Sequence, residues 1–135
     1  SRVLADGYGQ CNTKATLLMA LLRGCGIPVR IHGFTIDKQL QKGAITGLWY
    51  YLSPRNILHS WVDVWVDERW FALEGVILDK PYLQQLQLMY SSCQTSFCGY
   101  GVATESFQAP PIEFHLNDTF IQAEGINQDF GVFDH

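Results

Sequence analysis

Cys11, His59 and Glu74 are the residues whose types and spacing could do covalent chemistry. Cys11 follows a turn made by Gly7 and Gly9, and helix-compatible residues run from about Asn12 to Arg23. A thiol at a helix start faces unpaired backbone N–H groups and the positive end of the helix dipole, which favour the thiolate. Those amides, together with the N–H of Cys11 itself, form a candidate oxyanion hole. A thiol also needs a base to act at neutral pH, and histidine is the usual one. His59 opens the best-patterned stretch of the chain, HSWVDVWVDERWFALE.

The alternation in that stretch predicts a hairpin. Ser60, Val62, Val64 and Val66 occupy one face of a strand, and His59, Trp61, Asp63 and Trp65 the other. Asp67 and Glu68 read as a two-residue turn, after which Trp70 to Ile77 returns as a second strand. This register places His59 opposite Val76 and Trp61 opposite Glu74. His59 and Glu74 then share a face as diagonal neighbours, so the carboxylate could hold the imidazole by its second nitrogen. Asp79 is the competing carboxylate. Its parity puts it on the opposite face, although a one-residue bulge would reverse that choice.

Other elements must position these three. Leu17, Leu18, Leu21 and Leu22 fall at helical spacing, and Gly24, Gly26 and Pro28 end the helix. Its uniform apolarity predicts burial on most sides. Val29 to Ile36 reads as a strand. Residues 37–57 read as a long loop with one short element, and Trp49, Tyr50 and Tyr51 in it could wall a substrate groove. Tyr82 to Tyr90 suggests a short helix with Leu83 and Leu86 inward, and a loop-rich tail holds a candidate strand at Ile112 to Leu116. A helix begun by a cysteine and followed by antiparallel strands gives an α+β class.

Composition bounds the function. The 135 residues are 47% hydrophobic and 16% charged, which fits one folded domain with its own core and excludes disorder. A net charge of −4 argues against a nucleic-acid or anionic-membrane partner. The longest apolar stretch, Ala15 to Leu22, is far short of the roughly 20 residues a bilayer span needs. Cys11, Cys25, Cys93 and Cys98 form no CxxC pair, so neither a zinc ribbon nor a disulfide scaffold is expected. Reduced thiols and a cytoplasmic location follow as the expectation, with Cys93 and Cys98 able to close a small loop if exported. No loop carries carboxylates at EF-hand spacing, so no calcium, other metal or cofactor is expected.

Two ordered blocks, GxGQCxxxAxLLxALLRGCGIPVRxHGF and HSWVDVWVDERWFALE, resemble the transglutaminase-like superfamily of papain-like cysteine enzymes. Gly9, Cys11, Arg23, Gly26, Pro28 and Arg30 match the first block; His59, Trp61, Asp63, Val64 and Trp70 match the second. The likeness covers roughly Gly7 to Asp79, within a single transglutaminase-like domain over 1–135 whose residues 80–135 form an extension without a match. It implies a papain-like core in which the nucleophile starts a buried helix packed on an antiparallel sheet. It also implies a triad of Cys11 as nucleophile, His59 as base and Glu74 as the acid, where the family usually has Asp. Family members carry tens of residues before the nucleophile. The ten here imply either a piece of a longer chain or a simpler oxyanion hole.

The implied activity is acyl transfer through a thioester on a peptide or protein amide. Hydrolysis, as in a peptidase or amidase, comes first and amine transfer second. The rival is a binding domain whose site has decayed; a redox thiol protein using Cys93 and Cys98 is a third reading. The blander residues are Trp61, Trp65 and Trp70 as core or cleft wall, and Asp63 as a solvated residue or a second acceptor. Cys25 reads as packing, His32 as structural or exposed, and His115 as uninvolved.

Overall fold

The computed structural model describes residues 2–133. It combines helices with an antiparallel sheet, in keeping with the expected α+β class. After α1 (Arg2–Asp6), helix α2 (Cys11–Gly24) leads into β1 (Val29–Asp37). A 3-10 turn (Lys38–Gln41) and α3 (Leu48–Leu52) occupy the stretch read as loop, before β2 (Asn56–Val66) and β3 (Arg69–Ala72). The remainder holds α4 (Lys80–Met89), a small hairpin of β4 (Phe97–Gly99) and β5 (Val102–Thr104), and β6 (Ile126–Phe133).

The main sheet has the order β3-β2-β1-β6, with every neighbouring pair antiparallel. The β2–β3 register is the one the turn predicted, pairing Val66 with Arg69 and Asp63 with Ala72. Asp67 and Glu68 both take positive φ, 48° and 61°, as a two-residue hairpin turn requires.

The second strand of the hairpin is shorter than its pattern predicted. It stops at Ala72, and Gly75–Ile77 coils into a 3-10 turn, so neither His59–Val76 nor Trp61–Glu74 forms a ladder pair. Leu73 N still donates to Val62 O at 2.8 Å, and a segment from the tail runs along the outer edge of β3. Asp118 accepts from Ala72 N at 2.8 Å, Thr119 N donates to Ala72 O at 2.9 Å, and Gly75 N donates to Thr119 O at 3.1 Å. The tail also supplies β6, whose polar sequence gave no strand signal, while Ile112 to Leu116 forms no strand.

The two faces of the sheet bury separate clusters. Ala15 of α2 packs with Val29, Val62, Val64, Phe71 and Leu73 on one face. Phe34, Ile36, Leu40, Trp61 and Ala103 pack on the other. Leu83 and Leu86 of α4 join Val102, Phe107 and Ile121 in a third cluster, as the inward positions of that helix predicted. Helix α2 is not buried on most sides. Ala15 is its one buried residue and Leu21 is 53% exposed, because the sheet covers a single stripe of it.

Gly75 is a point of close approach between the hairpin and the tail. A Cβ there would lie 3.1 Å from both Ile112 Cα and Phe120 N, which are backbone atoms with no side-chain freedom to move aside. Gly75→Ala should therefore destabilise the fold by about 1–3 kcal/mol, the usual cost of overpacking. Urea denaturation measures this, and an unchanged midpoint would contradict the packing described.

Candidate functional site

Cys11, His59 and Glu74 line one cavity of about 610 Å³ at the start of α2, and Asp79, Tyr100 and Gln122 line it too. Cys11 is the first residue of α2 and half-buried. Its N-cap, Gln10, makes no side-chain bond to the helix, so the first-turn amides are not consumed by a local cap. The backbone N–H groups of Cys11 and Asn12 instead act on the thiol and pull its pKa down, aided by the charge of Lys14. Burial is the larger effect, and with the nearby charge of Glu74 it leaves the thiol pKa raised. Gly9 permits the approach to this turn, since a Cβ on it would sit 2.8 Å from Thr13 Oγ1 and 3.1 Å from Val3.

His59 is 3% exposed and lies on the β2 face shared with Trp61. Phe34 packs against its ring at 5.1 Å between centroids. Neither Nδ1 nor Nε2 has a hydrogen-bond partner among the described residues, and burial lowers its pKa to about 4. The imidazole is thus neutral at pH 7 and free to accept a proton.

Glu74 is 1% exposed. One of its carboxylate oxygens accepts from the backbone N–H of Ile121, and from that of Gln122 at 3.0 Å. Burial raises its pKa to about 7, while those two amides pull the other way. It is bound by the tail and not by His59. Asp79 is committed elsewhere, capping α4 through Tyr82 N at 3.3 Å, although it too faces the cavity.

Several other readings are settled by position. Trp49 and Tyr51 are 75% and 79% exposed, and the aromatic trio does not line this cavity. Tyr50 is half-buried, with Lys38 Nζ 5.1 Å over its ring. Trp61 is core, and Trp65 packs on Trp70 at 5.1 Å near the surface. Asp63 is a buried acceptor, taking Trp61 Nε1 at 2.7 Å and Arg30 Nε at 3.0 Å. His32 is bonded to Asp129 at 2.6 Å and stacked on Trp61. Cys25 is not a packing residue: it is exposed just beyond the end of α2, where no element covers it. Cys93 and Cys98 are free thiols, and His115 lies exposed beside Glu113.

Sequence reasoning missed the residues that hold the site from outside the two motif blocks. Ile121 and Gln122 bind Glu74 through main-chain N–H groups, which carry no side-chain signal. Asn12 bonds β2 on either side of His59, to Leu58 O at 3.2 Å and from Ser60 Oγ at 2.9 Å. That pairing becomes visible only once α2 and β2 are adjacent.

A cysteine at a helix start, sharing a cavity with a histidine on an antiparallel sheet, defines a thiol-bearing α+β protein. A family model for the transglutaminase-like superfamily matches residues 1–75, and the chain belongs to that superfamily. It is also 34% identical over 68 residues to an uncharacterized protein, YebA, of Bacillus subtilis (strain 168). That match covers 49% of this chain and 9% of YebA. No solved structure matches the chain significantly. No helix among the described residues is long and apolar enough to cross a membrane.

The two buried titrations act on stability with opposite signs. Glu74 binds its proton more tightly folded (pKa about 7) than at its ordinary 4.5, so its contribution is greatest below pH 4.5 and is lost as pH rises towards 7. His59 binds its proton less tightly folded (about 4) than at its ordinary 6.5, so its contribution is present above pH 6.5 and lost as pH falls towards 4. Glu74→Gln should leave stability rising with pH between about 4 and 6.5. His59→Gln should leave it falling between about 4.5 and 7. Denaturation midpoints across that pH range, fitted for each variant, check both slopes.

Proposed function

We propose that this chain carries out cysteine-dependent acyl chemistry on a peptide or protein amide, with Cys11 as nucleophile, His59 as base and Glu74 as the supporting acid. The observation that carries the reading is the shared cavity. It brings a thiol with free helix-start amides together with a buried, neutral imidazole whose two nitrogens have no partner. A neutral imidazole is the form that can take a proton. In this reading Cys11 Sγ attacks the acyl carbon and His59 takes the thiol proton. The amides of Cys11 and Asn12 face the oxygen as charge develops on it. The C–N bond then breaks, and His59 returns the proton to the departing amine. Water resolves the thioester, making hydrolysis the first choice, and a primary amine in its place would give transfer.

Glu74 acts in this scheme by charge and not by direct contact. Its carboxylate, close to half ionised at neutral pH, stabilises the imidazolium as it forms. A cavity of about 610 Å³ falls within the size range of small-ligand clefts, enough for a side chain and its flanking main chain.

One observation favours a second reading, a binding domain that has kept the fold. No hydrogen bond joins His59 to either Cys11 or Glu74. The two are separated by incubating the protein with a library of amide-bearing peptides. Intact-mass spectrometry would follow Cys11 adducts, and assays for free amine would follow turnover. The acyl reading expects a Cys11 thioester and turnover abolished by Cys11→Ala. It also expects kcat/KM reduced about 10²- to 10⁴-fold by His59→Ala, the range a general base contributes. Peptide binding that survives Cys11→Ala, with no adduct and no turnover in the native chain, would overturn it.

A further inference from the structure

We infer that Asn12 is a positioning residue, whose side chain sets the offset between the Cys11 thiol and the His59 ring. The inference rests on the acyl reading of that pair. Asn12 directly follows Cys11 in the first turn of α2, but its carboxamide leaves the helix. Asn12 Nδ2 donates to Leu58 O at 3.2 Å, and Asn12 Oδ1 accepts from Ser60 Oγ at 2.9 Å. Leu58 and Ser60 are the two chain neighbours of His59.

The geometry makes this a clip. Leu58 and Ser60 lie about 6.4–6.8 Å apart along the strand, Leu58 offering its main-chain carbonyl and Ser60 its hydroxyl. One carboxamide reaches both, with its donor at one end and its acceptor at the other. Reversing the amide would oppose donor to donor at Ser60 only if the hydroxyl kept its present role, and would set two oxygens against each other at Leu58. A single side-chain orientation therefore satisfies both partners, and it fixes the slide and rotation of the helix start along β2. His59 lies between the two anchors with its side chain on the opposite face of the strand.

The local bond at the helix start, Thr13 Oγ1 to Gln10 O at 2.8 Å, does not reach β2. Gln10 makes no side-chain cap, and Asn is a poor helix former whose favoured use is to bond outside the helix. His59 for its part has no hydrogen bond of its own, so its placement depends on its backbone and its packing against Phe34. A loss of the clip would let thiol and ring drift, and a displacement of about 1 Å at reacting groups can cost a hundredfold in rate.

The test is the rate of Cys11 alkylation by iodoacetamide across pH 5–9 (about the span in which these groups titrate), read by mass spectrometry at the Cys11 peptide. It uses the native chain, Asn12→Ala, Ser60→Ala, Ser60→Thr and His59→Ala, with Asn12→Ala also combined with each of the other two alanine changes. Asn12→Ala should lower the His59-dependent rate about tenfold to a hundredfold. Ser60→Ala should lower it less, and Ser60→Thr, which keeps the hydroxyl, should restore it. Because the two residues share one bond, the Asn12/Ser60 double variant should react no more slowly than Asn12→Ala alone. In the His59→Ala background, Asn12→Ala should have no further effect.

Ser60→Ala keeps the Leu58 bond and serves as the mild variant should Asn12→Ala unfold. An undiminished rate in both variants would overturn the inference, as would the same fall with His59 absent. If His59→Ala alone left Cys11 alkylation unchanged, the pair itself would be refuted and the inference with it, an outcome distinct from failure of the clip.

Discussion

A buried carboxylate with no cationic partner among the described residues is the constraint around which the rest of this molecule is arranged. Glu74 sits at the point where the hairpin stops being a hairpin, and two backbone amides from the tail supply its hydrogen bonds. For those amides to reach it, residues 118–122 must lie against 72–75. The contacts from Asp118 and Thr119 to Ala72 and from Gly75 to Thr119 do that. The hairpin ends where the chain coils into the 3-10 turn at Gly75–Ile77, with the Gly75 N–H bonded to Thr119. A bare hydrogen on Gly75 lets the two backbones meet. Leaving the carboxylate unsatisfied in that interior would cost several kcal/mol, roughly the scale set by burying a polar group without partners.

The electrostatics of the cavity follow from the same burial. Desolvation pushes Glu74 and His59 towards their neutral forms, raising Glu74 to about 7 and lowering His59 to about 4. The Cys11 thiol moves upward as well, though the helix-start amides and Lys14 oppose it. The resting site holds a thiol and a neutral imidazole, not a preformed ion pair. In the proposed acyl chemistry, charge separation has to occur as the thiol reacts, and the helix-start amides are placed where they act on it.

Two packing layers carry these parts. Helix α2 rests one stripe on the sheet face made by Val29, Val62 and Val64, which delivers Cys11 to the sheet's end. His59 belongs to the opposite face, against Phe34, and Asn12 reaches β2 from the α2 side to bond its two neighbours. Cys11 on α2 and His59 on β2 thus lie on opposite sides of the strand and line one cavity near its start.

The sequence alone determined the α+β class, the helix beginning near Cys11, the strand through His59 and the hairpin register across Asp67 and Glu68. These depend on local periodicity and turn chemistry, which are written in neighbouring residues. Membership of the transglutaminase-like superfamily was legible for a related reason, because its two motif blocks are contiguous runs. Tertiary structure decided how far each element extends and what it touches. β3 ends early because the chain coils at Gly75–Ile77 against Thr119 of the tail, and α2 is half exposed because one sheet face covers a single stripe. β6 forms from a polar run because an edge of β1 is open to it. The partners of Glu74 and the reach of Asn12 across to β2 join residues more than 40 positions apart. Backbone amides look alike at every position, and a carboxamide does not announce its partner, so such bonds exist as information only once the chain has folded.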